Sequence, residues 1–64
     1  MVINVNRQEL TIDTDSSPFT IGSLLKHLEI EFRVIVEKNG MLADKSDEIA
    51  DGDDIQIMRF AGGG

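Results

Sequence analysis

Few residues in this chain can do chemistry, and their spacing argues against most kinds. His27 is the single histidine, and there is no cysteine, tyrosine or tryptophan. Ser16, Ser17, Ser23 and Ser46 fall in loops or at a helix start, which argues against a nucleophile–base pair. His27 lies off the apolar stripe of a predicted helix and reads as a solvated side chain. Asp13, Asp15 and Ser17 begin like a calcium-binding loop. The sixth position of that loop is Pro18 where glycine is required, and the twelfth is Leu24 where a bidentate carboxylate is required. Asp51-Gly52-Asp53-Asp54 is too tightly spaced to supply alternate ligands, so both acidic clusters read as turns and solvated surface. The expectation is a protein that is not an enzyme and binds no metal or cofactor of its own.

One chemical group remains, the α-carboxylate of Gly64. Gly62-Gly63-Gly64 costs more backbone entropy to order than any other tripeptide and packs nothing, which predicts a floppy arm. An arm without Cβ atoms is thin enough to thread a narrow channel in another protein. A carboxylate is a poor electrophile, because its charge and resonance repel nucleophiles. Conversion to an acyl-adenylate by an ATP-using partner supplies a good leaving group. A sulfur nucleophile then replaces AMP and leaves a thiocarboxylate. In this reading the arm carries the reactive group and the folded body addresses it.

The body is built from short alternating elements. Val2–Asn6 places Ile3 and Val5 at i, i+2, a half-buried strand, and Gln8–Asp13 repeats the pattern with Leu10 and Ile12. Asn6-Arg7 between them reads as a tight turn, which makes an antiparallel hairpin. Thr20 offers an N-cap ahead of Ile21, Leu24, Leu25 and Leu28, the i, i+3, i+4, i+7 stripe of an amphipathic helix of about ten residues. Gly22 costs that helix about 1 kcal/mol relative to alanine. Phe32–Lys38 is rich in β-branched residues, with Val34 and Val36 on one face and Phe32 or Ile35 elsewhere, a pattern expected when a strand is covered on both sides. Asn39-Gly40 is a turn signal, Met41–Ala43 a short return strand, Asp44–Glu48 a charged loop and Ile49 an isolated apolar anchor. Asp51-Gly52-Asp53 is a second turn. Asp54–Phe60 alternates Ile55 and Ile57 against Gln56, then brings Met58 and Phe60 to the other face.

This order of elements predicts an α+β roll, a mixed sheet of four to five strands packed on one main helix, with the first and last strands parallel at its centre. Residues 1–61 form the domain and 62–64 the tail. Met58 and Phe60 stand next to the tail and are candidates for a partner-docking patch, which Leu42 or Met41 joins from the short strand.

Composition narrows the partners. Twelve Asp and Glu against six Lys and Arg give a net charge of −6. Such a chain repels nucleic-acid phosphates and anionic membrane surfaces, and attracts basic protein surfaces. Asp51, Asp53 and Asp54 are candidates for that steering, although their turn role suffices without it. No segment has the features of an export signal or a membrane span, so the expected location is the cytoplasm.

Taken in order, several segments resemble the ThiS/MoaD group of ubiquitin-like sulfur carriers, and the thiamine-pathway ThiS branch in particular. They are Val2-Ile3-Asn4-Val5-Asn6, Thr20-Ile21-Gly22-Ser23-Leu24-Leu25-Lys26-His27-Leu28, Val34-Ile35-Val36-Glu37-Lys38-Asn39-Gly40, Asp51-Gly52-Asp53-Asp54-Ile55-Gln56-Ile57 and the glycine end. The resemblance implies a β-grasp fold. It implies adenylation of Gly64 by a ThiF- or MoeB-like activating enzyme using ATP, and sulfur from a donor such as a cysteine desulfurase. It further implies delivery to a ThiG-like thiazole synthase or, in the sister branch, to a molybdopterin synthase large subunit. Gly63 and Gly64 match the family's terminal pair, and Gly62 is additional to it. Arg59-Phe60-Ala61 is not diagnostic for the thiamine branch, and Met41-Leu42-Ala43-Asp44 matches neither branch clearly. Members of the group also serve tRNA thiolation or become attached to lysines as protein modifiers. A non-covalent β-grasp interaction module is the alternative in which the glycine end is incidental.

Overall fold

The computed structural model describes residues 1–13, 18–31 and 33–59. In chain order they form β1 (Val2–Val5), β2 (Gln8–Thr11), α1 (Ile21–His27), β3 (Val34–Lys38), β4 (Met41–Ala43) and β5 (Asp54–Arg59). The five strands make one mixed sheet in the order β2-β1-β5-β3-β4. The expected α+β roll is what the chain forms, and β1 and β5 are the parallel central pair, with Asn4 opposite Asp54 and Val5 opposite Ile55.

Alternation along the strands decides which face is buried, because successive side chains point to opposite sides. Ile3, Ile55 and Val36 point to the α1 side, where Ile21, Leu24 and Leu25 complete the core together with Ile12, Phe19 and Ile49. No polar side chain is buried among the described residues. Ile49, predicted as a lone anchor, is held from both sides: its side chain is buried and its N–H donates to the Phe19 carbonyl at 2.7 Å.

The turns obey their local chemistry. Asn6 and Arg7 both take positive φ, 50° and 68°, the handedness that a two-residue hairpin needs to match strand twist. Asn39 and Gly40 do the same between β3 and β4, with φ of 53° and 83°.

The helix start is capped from two directions. Thr20 Oγ1 accepts from the Ser23 N–H at 3.2 Å. The N–H groups of Ile21 and Gly22 donate to the carbonyls of Asp47 and Lys45, each at 2.9 Å. Groups that a helix leaves without partners are therefore satisfied by the charged 44–48 loop. Gly22 has a use beyond its propensity cost, since a Cβ there would stand 3.3 Å from the Lys45 carbonyl oxygen.

Two expectations are corrected. The helix has seven residues, not ten. It stops because Glu29 turns to φ 58°, letting its N–H reach the Lys26 carbonyl at 3.0 Å and the Ile30 N–H reach the Leu25 carbonyl at 2.9 Å. This pair of bonds closes a Schellman motif, whose left-handed position is usually glycine. The β3 strand is also not covered on both faces. Val36 is buried, whereas Ile35 faces away from the helix and is 36% exposed. With a single helix on one side, nothing described covers the other.

Glu29 pays the steric penalty of a left-handed backbone without a glycine's freedom. Replacing Glu29 with glycine is expected to raise unfolding free energy by about 1 kcal/mol, read as a higher midpoint in urea with an unchanged slope.

Candidate functional site

Of the residues proposed to act on partners, Met58 lies on β5, the last described strand before the chain end. β5 is held on both flanks. β3 pairs with it antiparallel along five positions, from Val34 opposite Arg59 to Lys38 opposite Ile55. β1 pairs with it for only two, and Asn6 prolongs that ladder: its N–H donates to the Ile55 carbonyl at 2.9 Å and its Oδ1 accepts from the Ile57 N–H at 2.7 Å. The strand that carries the tail is thus fixed by neighbours on each side.

The start of β5 is fixed by the two turn motifs acting on each other. Asp53 Oδ2 accepts from the Ala50 N–H at 2.8 Å, and Asp53 Oδ1 accepts from Asn39 Nδ2 at 3.0 Å. Asn39 Oδ1 in turn accepts from the Asp54 N–H at 2.9 Å. Asp51 Oδ1 takes the Val2 N–H at 2.6 Å, and the Gly52 N–H returns a bond to the Val2 carbonyl at 2.7 Å. Gly52 has φ 89°, a conformation that suits glycine. The hydrogen bonds from the Ala50 N–H and from Asn39 hold the Asp53 carboxyl below its usual range; burial opposes them, and the Lys38 charge adds a smaller lowering. Asp51 and Asp53 therefore have structural duties, and of the three carboxylates considered for steering only Asp54 has none in these turns.

Met58 lies on the sheet face away from α1, opposite Ile35 on β3, and is 37% exposed. Leu42 shares that face and is 78% exposed, but it reaches the patch through β3, since β4 pairs with β3 and not with β5. Met41 is separated from them. It pairs with Lys38, which pairs with Ile55, so it belongs to the opposite face. Ile35, between Met58 and Leu42, is the member that sequence reasoning missed. The signal was the alternation with the inward Val34 and Val36, which leaves Ile35 outside when, among the described residues, one helix covers one face of the sheet. Phe60 and the tail Gly62, Gly63 and Gly64 lie outside the described residues, as do Asp15 and Ser17 of the acidic loop. His27 is exposed at the last position of α1. Among the described residues no group of acidic or histidine side chains is arranged to hold a metal ion, and no helix is long and apolar enough to cross a membrane.

Among the described residues, a mixed sheet of this strand order rolled around one helix, its central strand β5 standing last before the glycine end in the sequence, defines a ubiquitin-like β-grasp protein. Within that class the sequence profile of the ThiS family matches residues 1–64, and the chain belongs to the ThiS family. The crystal structure of the thiamine biosynthesis protein ThiS from Geobacter metallireducens is similar over the full length of both chains, with a TM-score of 0.81 at 28% identity. The solution structure of a thiamine biosynthesis protein from the same organism gives a TM-score of 0.74 at 28% identity, covering all of this chain and 88% of that one. Comparison with curated proteins returns no match.

Because the folded-state pKa of Asp53 is depressed, its contribution to stability is fully present above the ordinary carboxylate pKa. It is lost as pH falls from there through the folded value. Asp53→Asn is expected to cost about 1 kcal/mol at neutral pH, with a shallower decline in stability below about pH 4, both read from urea midpoints across a pH series.

Proposed function

We propose that this protein is a thiamine-pathway sulfur carrier whose Gly64 carboxylate is the loaded group. The observation that carries the reading is the match to the ThiS family across all 64 residues, the glycine end included. The structural relatives are thiamine biosynthesis proteins, which supports this pathway over molybdopterin synthesis.

The chemistry takes place on partner enzymes. In a ThiF- or MoeB-like activating enzyme, a Gly64 carboxylate oxygen attacks the α-phosphorus of ATP. Pyrophosphate leaves and an acyl-adenylate forms. A sulfur nucleophile at the sulfide level adds to the acyl carbon, the bond to AMP breaks, and the thiocarboxylate remains with no net change in redox state. Sulfur brought as a persulfide from a cysteine desulfurase reaches that level when a second thiol reduces it. The thiocarboxylate sulfur then serves a ThiG-like thiazole synthase. This chain supplies no general acid or base to these steps.

The body's contribution is placement. Beyond Arg59 five residues remain, so the Gly64 carboxylate reaches at most about 17 Å from the end of β5. The partner's reacting groups must lie within that distance of the docked sheet. Met58, with Ile35 and Leu42 beside it, offers the described apolar contact nearest the tail in sequence.

Incubation with the host's activating enzyme, ATP and a sulfur donor is expected to give a product with one oxygen replaced by sulfur on the C-terminal peptide, read by intact and peptide mass spectrometry. Deleting Gly63-Gly64 is expected to abolish it while leaving the thermal midpoint unchanged. Failure of the wild type to form this species overturns the carrier reading. Conjugates to partner lysines that vanish with the deletion would point to a protein modifier instead.

A further inference from the structure

Asn39-Gly40 makes the turn between β3 and β4, and it is the one place in the chain where asparagine precedes glycine. Asn4 and Asn6 precede Val5 and Arg7. An asparagine followed by glycine has a chemistry of its own, because no Cβ hinders the approach of the following backbone nitrogen to the side-chain carbon. The Gly40 nitrogen gives its proton to solvent base and bonds to Asn39 Cγ. The bond from Cγ to the side-chain nitrogen breaks, and that nitrogen leaves as ammonia. Water then opens the cyclic imide at either carbonyl, giving aspartate or the isomer whose backbone runs through the side chain. One amide and one water become one carboxylate and one ammonium, with no change in redox state.

Both residues are exposed, and a Cβ at Gly40 would meet nothing within 4 Å, so no neighbour shields the turn from solvent. The restraint lies in what the Asn39 amide holds. Its Nδ2 donates to Asp53 Oδ1 at 3.0 Å, and its Oδ1 accepts from the Asp54 N–H at 2.9 Å. The Asn39 N–H donates to the Asp54 carbonyl at 2.7 Å, so the two turns are joined at three points. The side-chain bonds lie in the amide plane. Ring closure takes Cγ out of that plane and removes the nitrogen, so it needs both of them open.

We propose that Asn39 is a deamidation site gated by this contact between the two turns: the closed contact protects the amide, and the product keeps the contact from closing. An aspartate there still offers an acceptor to the Asp54 N–H, but it has lost the donor to Asp53. Two carboxylates then meet where the amide had bridged them, a like-charge pair in place of a hydrogen bond. The Lys38 charge near Asp53 softens that repulsion, but its ammonium already donates to the Glu48 carbonyl at 2.8 Å. The isomer also lengthens the backbone of a two-residue turn and disturbs the pairing of Lys38 with Met41. Either product loosens the start of β5, and the chain keeps a covalent record of how often its turns part.

The test incubates the full chain at physiological temperature in mildly alkaline buffer, native and across a urea series. Peptide mass spectrometry follows replacement of the Asn39 amide NH2 by OH, and isoaspartyl methyltransferase labelling reports the isomer. The native rate is expected to lie at least about tenfold below that of the unfolded chain, and to rise in urea ahead of the global transition. Asp53→Ala removes the acceptor of Nδ2 and is expected to speed deamidation at Asn39 about tenfold, with Asn4 and Asn6 as internal comparisons. Thermal melting checks that this variant is folded, and if it is not, the rise ahead of the wild-type transition decides. Asn39→Asp is expected to lower the urea midpoint and to speed hydrogen exchange at the Asp54 amide about tenfold. Equal rates in the native and unfolded chains, no reaction at Asn39 in either, or a folded Asp53→Ala variant with the wild-type rate overturns the gate. An Asn39→Asp variant with wild-type midpoint and exchange overturns the claim that the product holds the contact open.

Discussion

The parallel pairing of β1 with β5 is the contact on which the rest of the molecule depends. It joins residues some fifty positions apart and sets the last described strand in the middle of the sheet. Ile55, fully buried, lies in that pairing opposite Val5. The ladder itself is short, and side chains from turns extend it at both ends: Asn6 beyond Val5, and the Asp51–Gly52 turn beside Val2. A loss at any of these points loosens both the core and the strand that carries the tail. A small domain with few apolar residues has little reserve against such a loss.

This arrangement divides labour among residues of similar appearance. Asp51, Asp53 and Asp54 are near neighbours in sequence, yet two of them hold backbone and side-chain donors in turns, and the third opens the exposed face of β5. Met41 and Leu42 are adjacent and both exposed, yet the strand's alternation sends only one to the face that bears Met58. Periodicity of two, more than composition, decides which groups can act together.

Much of this was legible in the residues. The alternations in β1, β2 and β5, the Asn6-Arg7 and Asn39-Gly40 turns, the Thr20 cap and the return strand Met41–Ala43 all follow from local rules, and consistency among them favours one roll. The helix end was not legible, because its left-handed residue is Glu29 where a glycine would have announced the stop. Ile35 escaped for a different reason: whether an apolar strand residue is buried depends on how many helices cover the sheet, which no single strand records. The use of the 44–48 loop as a helix cap was equally hidden, since backbone carbonyls carry no sequence signature. The chemistry proposed for the chain end was argued from glycine and from elimination, and its residues lie outside those described.

The position of β5 also governs when the protein comes into being. A chain synthesised only as far as β4 lacks the partner of β1, the antiparallel neighbour of β3 and the Ile55 side chain at the centre of the core. Long-range pairing of this kind is slow to form and cannot begin before its later strand exists. During translation, the folded body and the root of its arm therefore appear together. A nascent chain has no folded face to offer a partner until the strand that leads into the tail has been made.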